Sequence, residues 1–444
     1  MLKKLNLDNN SFNRLFLFGF TLVVLMVSML TPPFQSPDEI NHFNRAYGLS
    51  HFEIIPNNGI VKIDKNLDEF EKLYSNFPFK YDTKNTAELQ YKAKEFHWSV
   101  DNIESQIPNA AVYSPFSYAP QTIGIWIGKL LDLSIYNSYT LSKVLSMLTC
   151  LLLIYISNRI YTIPSMAYII ILFPMSLFQI GSTSPDGIAF CISILIGSLF
   201  AKAFNKEEKY SVNEFILLNF CILILLTTRI NMLPVLILPF LVSLVREIKY
   251  KYIISIITSL IIFTWIFLSY KNIMGGGEYF HYGMSSSDKI IYYLLNPLEL
   301  FRMYMNTFTD LRMIKEYITQ TIGVLGWLDT PLSKGSYYLL IFIISIVLLL
   351  TYNRTELVLV SILLVILTIL LTFFILLISW TNISDPVIQG VQGRYFIPLL
   401  LIVSFISFSV KSSSTDKAYF FVILMMIASS YITFEALISR YLLS

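Results

Sequence analysis

The chain has 444 residues, of which 55% are hydrophobic and 14% are charged, and its mean hydropathy is +0.62. A soluble fold of this length cannot bury so much apolar surface, so the composition predicts a polytopic membrane protein built as an all-α helix bundle. The formal net charge is only +3 and the basic residues are spread along the chain, which gives no support to a nucleic-acid partner.

Runs of roughly twenty apolar residues predict about eleven membrane helices in a single membrane domain that covers residues 1–444. A further run at residues 116–131 is shorter and is interrupted by Pro120 and Lys129, so charge placement must decide whether it crosses the bilayer. The first run is interpreted as a retained anchor, because no small-residue cleavage site precedes Thr31. The predicted membrane helices lie at residues 15–31, 138–158, 162–182, 186–204, 212–228, 231–245, 252–270, 335–352, 356–379, 395–411 and 418–437.

The basic residues predict the orientation in the cell membrane. If the N-terminus is cytoplasmic and residues 116–131 lie in the membrane interface, every short basic loop falls on the cytoplasmic side. Two long segments, residues 32–137 and residues 271–334, are then outside, and the activity is expected at the outer face. The basic residues assigned to the cytoplasm are Lys3, Lys4, Arg14, Arg159, Lys202, Lys206, Lys209, Arg246, Lys249, Lys251, Arg354, Lys411 and Lys417.

Both outer segments contain patterns typical of helices. In the first segment, two apolar patterns with helical spacing predict amphipathic helices that lie on the membrane or on the bundle. In the second, a Gly275-Gly276-Gly277 break precedes a helix that begins near Asp288 and a longer helix from Pro297 toward Gly326. Plain packing is the alternative role for these helices. The two amphipathic patterns consist of Ile63, Leu67, Phe70, Tyr74 and Phe77, and of Leu89, Ala93, Phe96 and Val100.

Polar residues from well-separated parts of the chain fall at the predicted outer edge. Charged groups near the hydrocarbon are costly unless they are paired or solvated, so their accumulation on one face predicts a functional site. These residues are Asp38, Glu39, His42, Arg45, Asp186, Arg229, Asp329, Asp385, Gln392 and Arg394.

The acidic motif Ser36-Pro37-Asp38-Glu39 has two interpretations. It is a good helix start, with serine as the N-cap, proline at the first position and acids that complement the helix dipole, and Ser184-Pro185-Asp186 shares this pattern. On a helix, however, His42 lies four residues after Asp38 and three after Glu39, with Arg45 on a neighbouring face. Such spacing suits a general base oriented by its neighbours, or a divalent cation held by carboxylate and imidazole.

Two arginines stand at predicted outer helix ends. Arg229 and Arg394 can reach lipid phosphates, or they can bind the phosphate of a substrate through their planar donor fork. The phosphate role is favoured for Arg394, which is framed by Gly390, Gly393 and Tyr395.

Five sequence blocks identify a resemblance. They are TPPFQSPDEINHFNRAYGLS (31–50), YSPFSYAPQTIGIWIGKLL (113–131), FPMSLFQIGSTSPDG (173–187), GWLDT (326–330) and GVQGRYFIPLL (390–400). In this order they resemble the bacterial integral-membrane family called domain of unknown function 2142. That family in turn resembles the GT-C superfamily of membrane glycosyltransferases, which use polyprenyl-phosphate-linked sugars as donors.

The resemblance implies a GT-C-like layout and a function. The chain is then a glycosyltransferase that moves a sugar from a polyprenyl-phosphate donor to a cell-surface glycan or other acceptor at the outer face, with inversion. By resemblance, Asp38 or Glu39 is the catalytic base and Asp186 is a second acid. The residues assigned to substrate binding are His42, Arg45, Asp186, Arg229, Asp329, Gln392, Arg394 and Tyr395.

Two other classes of function are open at this stage. A transporter or flippase of a lipid-linked saccharide normally places ionisable groups at mid-membrane in broken helices, whereas the acids here cluster at one edge. A non-catalytic envelope-assembly protein is the third possibility, and it would tolerate alanine at the edge residues. The sequence names no cofactor beyond the possible divalent cation.

Overall fold

A computed structural model describes residues 9–274, 284–352, 356–408 and 415–443. The predicted Gly275-Gly276-Gly277 break and the basic residues Lys3, Lys4, Arg354 and Lys411 lie outside the described residues.

Long apolar runs form most of the helices. The α-helices are α1 Asn9–Leu30, α2 Glu39–Ser50, α3 Lys65–Tyr74, α4 Ala87–Lys94, α5 Pro108–Ala111, α6 Ala119–Leu130, α7 Ile135–Ile160, α8 Ser165–Ile171, α9 Pro174–Ile180, α10 Asp186–Phe204, α11 Val212–Thr228, α12 Ile237–Val245, α13 Lys251–Met274, α14 Ser286–Leu295, α15 Pro297–Thr309, α16 Leu311–Gly323, α17 Lys334–Thr351, α18 Val358–Ser379, α19 Ile397–Ser407 and α20 Thr415–Tyr441. The short strands are β1 Ile60–Asp64, β2 Asn102–Gln106, β3 Val324–Leu325 and β4 Thr330–Pro331.

The predicted polytopic all-α membrane protein is confirmed. Among the described residues, 7 helices are long and apolar enough to cross a membrane, and three shorter apolar helices accompany them. Helix α10 lies at the centre, with 83% of its apolar window buried inside the protein. The other long apolar helices leave most of their apolar surface exposed, and this surface contacts membrane lipids.

The predicted span at residues 162–182 is not one continuous helix. It is divided into α8 and α9, because Phe173 precedes Pro174 and takes an extended ψ of 139°. Residues 116–131 also form less than a span: α6 has 12 residues, which is about 18 Å of helix and shorter than the roughly 30 Å hydrocarbon core. Gly124 lets α6 approach α7 closely, since a Cβ there would lie 2.8 Å from the Ser142 nitrogen.

The first segment contains a two-stranded antiparallel sheet that the helical patterns missed. Val61 and Ile63 are buried and Lys62 is exposed, which is the two-residue alternation of a strand, and β1 pairs antiparallel with β2. Helix α3 begins only at Lys65, where the Asp64 side chain accepts from the Asn66 backbone nitrogen. The prediction for Val100 was wrong, because it lies beyond α4 and is 92% exposed.

The second segment follows its prediction at the starts of the helices. Ser285 caps α14 by accepting from the Asp288 backbone nitrogen, and Pro297 opens α15. The longer helix is interrupted at Asp310, whose side chain accepts from the Arg312 nitrogen and starts α16. A two-residue strand pair, β3 with β4, then turns through Gly326 at φ +61°.

Candidate functional site

Four charged residues from four helix ends form a continuous chain of ion pairs. Asp38 precedes α2, Asp186 is the first residue of α10, Arg229 follows α11, and Arg394 lies in the short 3-10 turn before α19. Arg394 Nη2 lies 3.2 Å from Asp38 Oδ2, and Arg394 Nε lies 3.6 Å from Asp186 Oδ2. Arg229 pairs with the other oxygen of Asp186. We call these four residues the Asp-Arg chain.

Asp38 is the accessible end of the Asp-Arg chain. Its side chain is 32% exposed, whereas those of Arg394 and Asp186 are 3% and 2% exposed. The second carboxylate oxygen, Oδ1, accepts from Asn109 Nδ2 at 3.0 Å. Both oxygens are therefore held, one by an amide and one by a guanidinium, in a carboxylate that solvent or a substrate can reach.

The acidic motif does not form the predicted N-cap. The α2 helix begins at Glu39, and Asp38 precedes it in the left-handed region at φ 62° without a side-chain capping bond. Ser36 Oγ instead donates to Gln179 Oε1 at 2.9 Å. A left-handed aspartate is an uncommon and mildly strained conformation, which surrounding contacts must maintain.

The hydrogen bonds of Glu39 supply contacts that maintain this conformation of the neighbouring Asp38. The environment of Glu39 differs from that of Asp38. It is fully buried, and its Oε1 accepts from the Tyr139 hydroxyl at 2.7 Å and from the Thr183 nitrogen and hydroxyl at 2.7 and 3.0 Å. Its Oε2 accepts from the Ser36 nitrogen at 3.0 Å. Glu39 thus ties the motif to the turn before α10, and no acceptor hydroxyl can approach it without displacing these donors.

His42 and Arg45 lie on the buried side of α2. His42 Nδ1 is 2.8 Å from the Tyr118 hydroxyl, and burial, together with the charges of Arg229 and Arg394, holds the pKa of His42 well below its usual value. Arg45 donates to the backbone carbonyls of residues 53 and 54, at 2.7 and 2.6 Å. The structure therefore places Arg45 in the packing of its own segment, outside the Asp-Arg chain.

Aromatic rings surround the two arginines. The Arg229 guanidinium lies 5.4 Å from the Tyr113 ring centre and 5.6 Å from that of Tyr395, and Arg394 lies 5.6 Å from the same Tyr395 ring. These are cation-π distances, and they limit the orientations of both guanidiniums. Tyr113 constrains Arg229 in a second way, since its hydroxyl accepts a hydrogen bond from Arg229 Nη1 at 3.2 Å.

Three predicted site residues lie apart from the Asp-Arg chain. Asp329 is buried and accepts from Arg440 Nη2 at 3.1 Å and from the Phe79 nitrogen at 2.8 Å. Asp385 accepts from the Asn382 nitrogen in a local turn. Gln392 lies two residues before Arg394 in the sequence, and its buried Oε1 has no hydrogen-bond partner among the described residues. Neither Asp329 nor Asp385 forms an ion pair with Arg229 or Arg394, the two arginines of the Asp-Arg chain.

The sequence did not point to several residues that organise this site. Asn109, Tyr139 and Thr183 carry no charge, and only their hydrogen bonds to Asp38 and Glu39 reveal their role. The sequence could have indicated a role for Arg440, because it is a cation at the end of an apolar helix.

The described residues contain no group of three or more His, Cys, Asp and Glu side chains that could hold a metal ion. Asp38 and Asp186 are each paired with a guanidinium, and Glu39 faces neutral donors. The divalent cation expected from the Asp38 and His42 spacing therefore stays a prediction without a ligand set in this part of the chain.

The comparisons with known proteins give a family. No curated protein and no solved structure matches the chain. A family model described as predicted membrane protein (DUF2142) matches residues 20–403, a range that contains every member of the Asp-Arg chain. The chain therefore belongs to the DUF2142 family of predicted membrane proteins.

Proposed function

We propose that the protein is a membrane glycosyltransferase that uses a polyprenyl-phosphate-linked sugar, and that Asp38 is its catalytic base. The observation that carries this proposal is the contrast between the two acids of the motif. Asp38 is 32% exposed with its carboxylate held in place, whereas Glu39 is fully buried and saturated by donors. A general base must come within hydrogen-bond reach of the proton that it takes, and only Asp38 is placed for that contact.

The reaction follows from the groups around Asp38. An acceptor hydroxyl gives its proton to the Asp38 carboxylate while its oxygen bonds to the anomeric carbon. The bond between that carbon and the phosphate oxygen breaks, and polyprenyl phosphate leaves with the electron pair. The sugar has oxocarbenium character in the transition state, which a nearby carboxylate stabilises.

The arginines supply positive charge for the leaving phosphate. Arg394 forms an ion pair with Asp38 directly. Arg229 is connected to Arg394 through Asp186, with which both arginines pair. A preorganised guanidinium in a site shielded from water stabilises developing negative charge without further reorganisation. Asp186 keeps both guanidiniums oriented, which is a positioning role.

The placement of the charges favours an enzyme over a transporter. The members of the Asp-Arg chain occupy helix ends, namely the residue before α2, the first residue of α10, the residue after α11 and the turn before α19. Carriers instead bind their substrates near the centre of the bilayer, between broken helices.

The test uses the native host with its chromosomal gene changed to encode Asp38→Asn or Arg394→Gln. Glu104→Gln is the matched control, since Glu104 is an exposed acid on β2. We expect both site variants to reach normal membrane abundance, to lose one defined sugar from the surface glycan and to accumulate the lipid-linked sugar on the outer leaflet. Accumulation on the inner leaflet would indicate a flippase, and an unchanged glycan in both variants would leave an assembly role.

A further inference from the structure

A cavity of about 840 Å³ opens between α17 and α20 beneath the loop at residues 81–84. The Asn85 nitrogen donates to the Tyr441 carbonyl at 2.8 Å, so this end of α20 lies against the 32–137 segment. No member of the Asp-Arg chain lines this cavity.

Two carboxylates on the cavity wall lack partners. Glu435 lies on the membrane helix α20, and Asp82 lies on the loop above it. Both side chains are exposed, and neither has a hydrogen bond or ion pair within the described ranges. Glu435 is six residues from the end of α20, which is about 9 Å along the helix. A carboxylate on a membrane helix is costly where it faces lipid, unless a cation or water pairs with it, so Glu435 marks a candidate binding site.

The cations of the same cavity are already engaged. Lys84 Nζ donates to the carbonyls of Ser439 and Arg440 at 3.0 and 3.3 Å, and Arg440 pairs with Asp329. Neither cation is placed to neutralise Glu435 or Asp82. Arg440 is 2% exposed, and its Nη atoms also donate to the carbonyls of Lys80 and Phe77.

The rest of the lining is divided between hydroxyls and apolar side chains. Ser333 and Ser336 stand at the start of α17, and Leu332, Ile432 and Leu443 provide apolar surface. A ligand that fits this wall needs a cation for the carboxylates, an acceptor for the hydroxyl donors, and an apolar part for the helix surface.

We propose that this cavity binds a zwitterionic membrane lipid whose headgroup has a primary ammonium next to a phosphate. Glu435 and Asp82 accept hydrogen bonds from the ammonium. The hydroxyls of Ser333 and Ser336 donate to the phosphate, and the acyl chains follow the apolar surface of α17 and α20. The site is separate from the Asp-Arg chain, and the inference does not depend on the proposed function.

Native mass spectrometry of the full-length protein tests the proposal. The purified protein is exchanged into detergent with equimolar phosphatidylethanolamine, phosphatidylcholine and phosphatidylglycerol of identical acyl chains, and the retained lipids are counted. We expect phosphatidylethanolamine to be retained at least tenfold over the other two, since only its headgroup has a primary ammonium that can donate to the two carboxylates.

Two variants and a control make the result specific. Glu435→Gln and Asp82→Asn should each lose most of this preference, and Glu104→Gln should keep it. Asp82→Asn covers the case in which Glu435→Gln does not fold, because Asp82 is an exposed loop residue. Equal retention of the three lipids would overturn the proposal. So would an unchanged preference in the variants, equal binding of phosphatidylethanolamine and phosphatidylcholine, or a requirement for added Mg²⁺.

Discussion

Glu39→Gln tests whether the two adjacent acids of the motif have different roles, with Glu39 as a positioning residue and Asp38 as the proposed base. The Glu39 carboxylate is fully buried and accepts four hydrogen bonds, from Tyr139, from Ser36 and twice from Thr183. An amide at this position must turn its NH2 group toward at least one of these donors. The best orientation keeps three bonds to a neutral oxygen and loses the bond to the Ser36 nitrogen.

The magnitude follows from these contacts. The lost charged bond is worth about 2 kcal/mol, and each of the three bonds that become neutral loses about 1 kcal/mol. The amide avoids the cost of burying a charge, which offsets part of this sum, so we expect a net loss of about 3 kcal/mol in the free energy of unfolding. Asp38→Asn is the control, because its partly exposed ion pair with Arg394 contributes about 1 kcal/mol or less.

Unfolding of the purified variants in one detergent, followed by tryptophan fluorescence in a denaturant series, measures both changes. Glu39→Gln should be clearly destabilised, and Asp38→Asn should unfold close to the wild type while it loses the proposed transferase activity. A Glu39→Gln protein as stable as the wild type would refute the positioning role of Glu39. A stable, fully active Asp38→Asn protein would refute the assignment of Asp38 as the base.

Three further changes test the electrostatics of the described residues. Asp186→Asn leaves two buried guanidiniums without their shared counterion and should cost about 3–5 kcal/mol in unfolding free energy, whereas a loss under 1 kcal/mol would contradict a structural ion pair. His42 is buried with a lowered pKa, so its unfolded form binds more protons and stability should fall as the pH drops below about 6.5. His42→Gln should reduce this dependence in pH-resolved melts. Burial raises the pKa of Glu71 well above its usual value, so stability should fall as the pH rises above about 4.5. Glu71→Gln should be more stable than the wild type at pH 8, and equal stability there would argue against an ionisation cost.

The class of the protein and the positions of its apolar helices can be predicted from the amino-acid sequence alone. The helical structure of a long apolar run can be predicted without tertiary information. Wherever such a run contacts lipid, it must satisfy its backbone hydrogen bonds internally. Each of the eleven predicted runs is helical in the described residues. The run at 162–182 is divided where Pro174 removes a backbone donor, and the run at 231–245 begins as a 3-10 helix that contains Pro234. Charge scarcity within these runs also drew attention to the acids and arginines at their ends.

Which of those polar residues form ion pairs with one another depends on the tertiary structure. Asp38, Asp186, Arg229 and Arg394 are up to 356 positions apart, and nothing in their local patterns specifies pairing partners. The structure joined these four and separated Asp329, which binds Arg440 instead. It also distinguished Asp38 from Glu39, because a left-handed residue at φ 62° directs two adjacent carboxylates to different environments. Pairing and exposure depend on long-range packing, whereas helix formation depends on neighbours in the sequence.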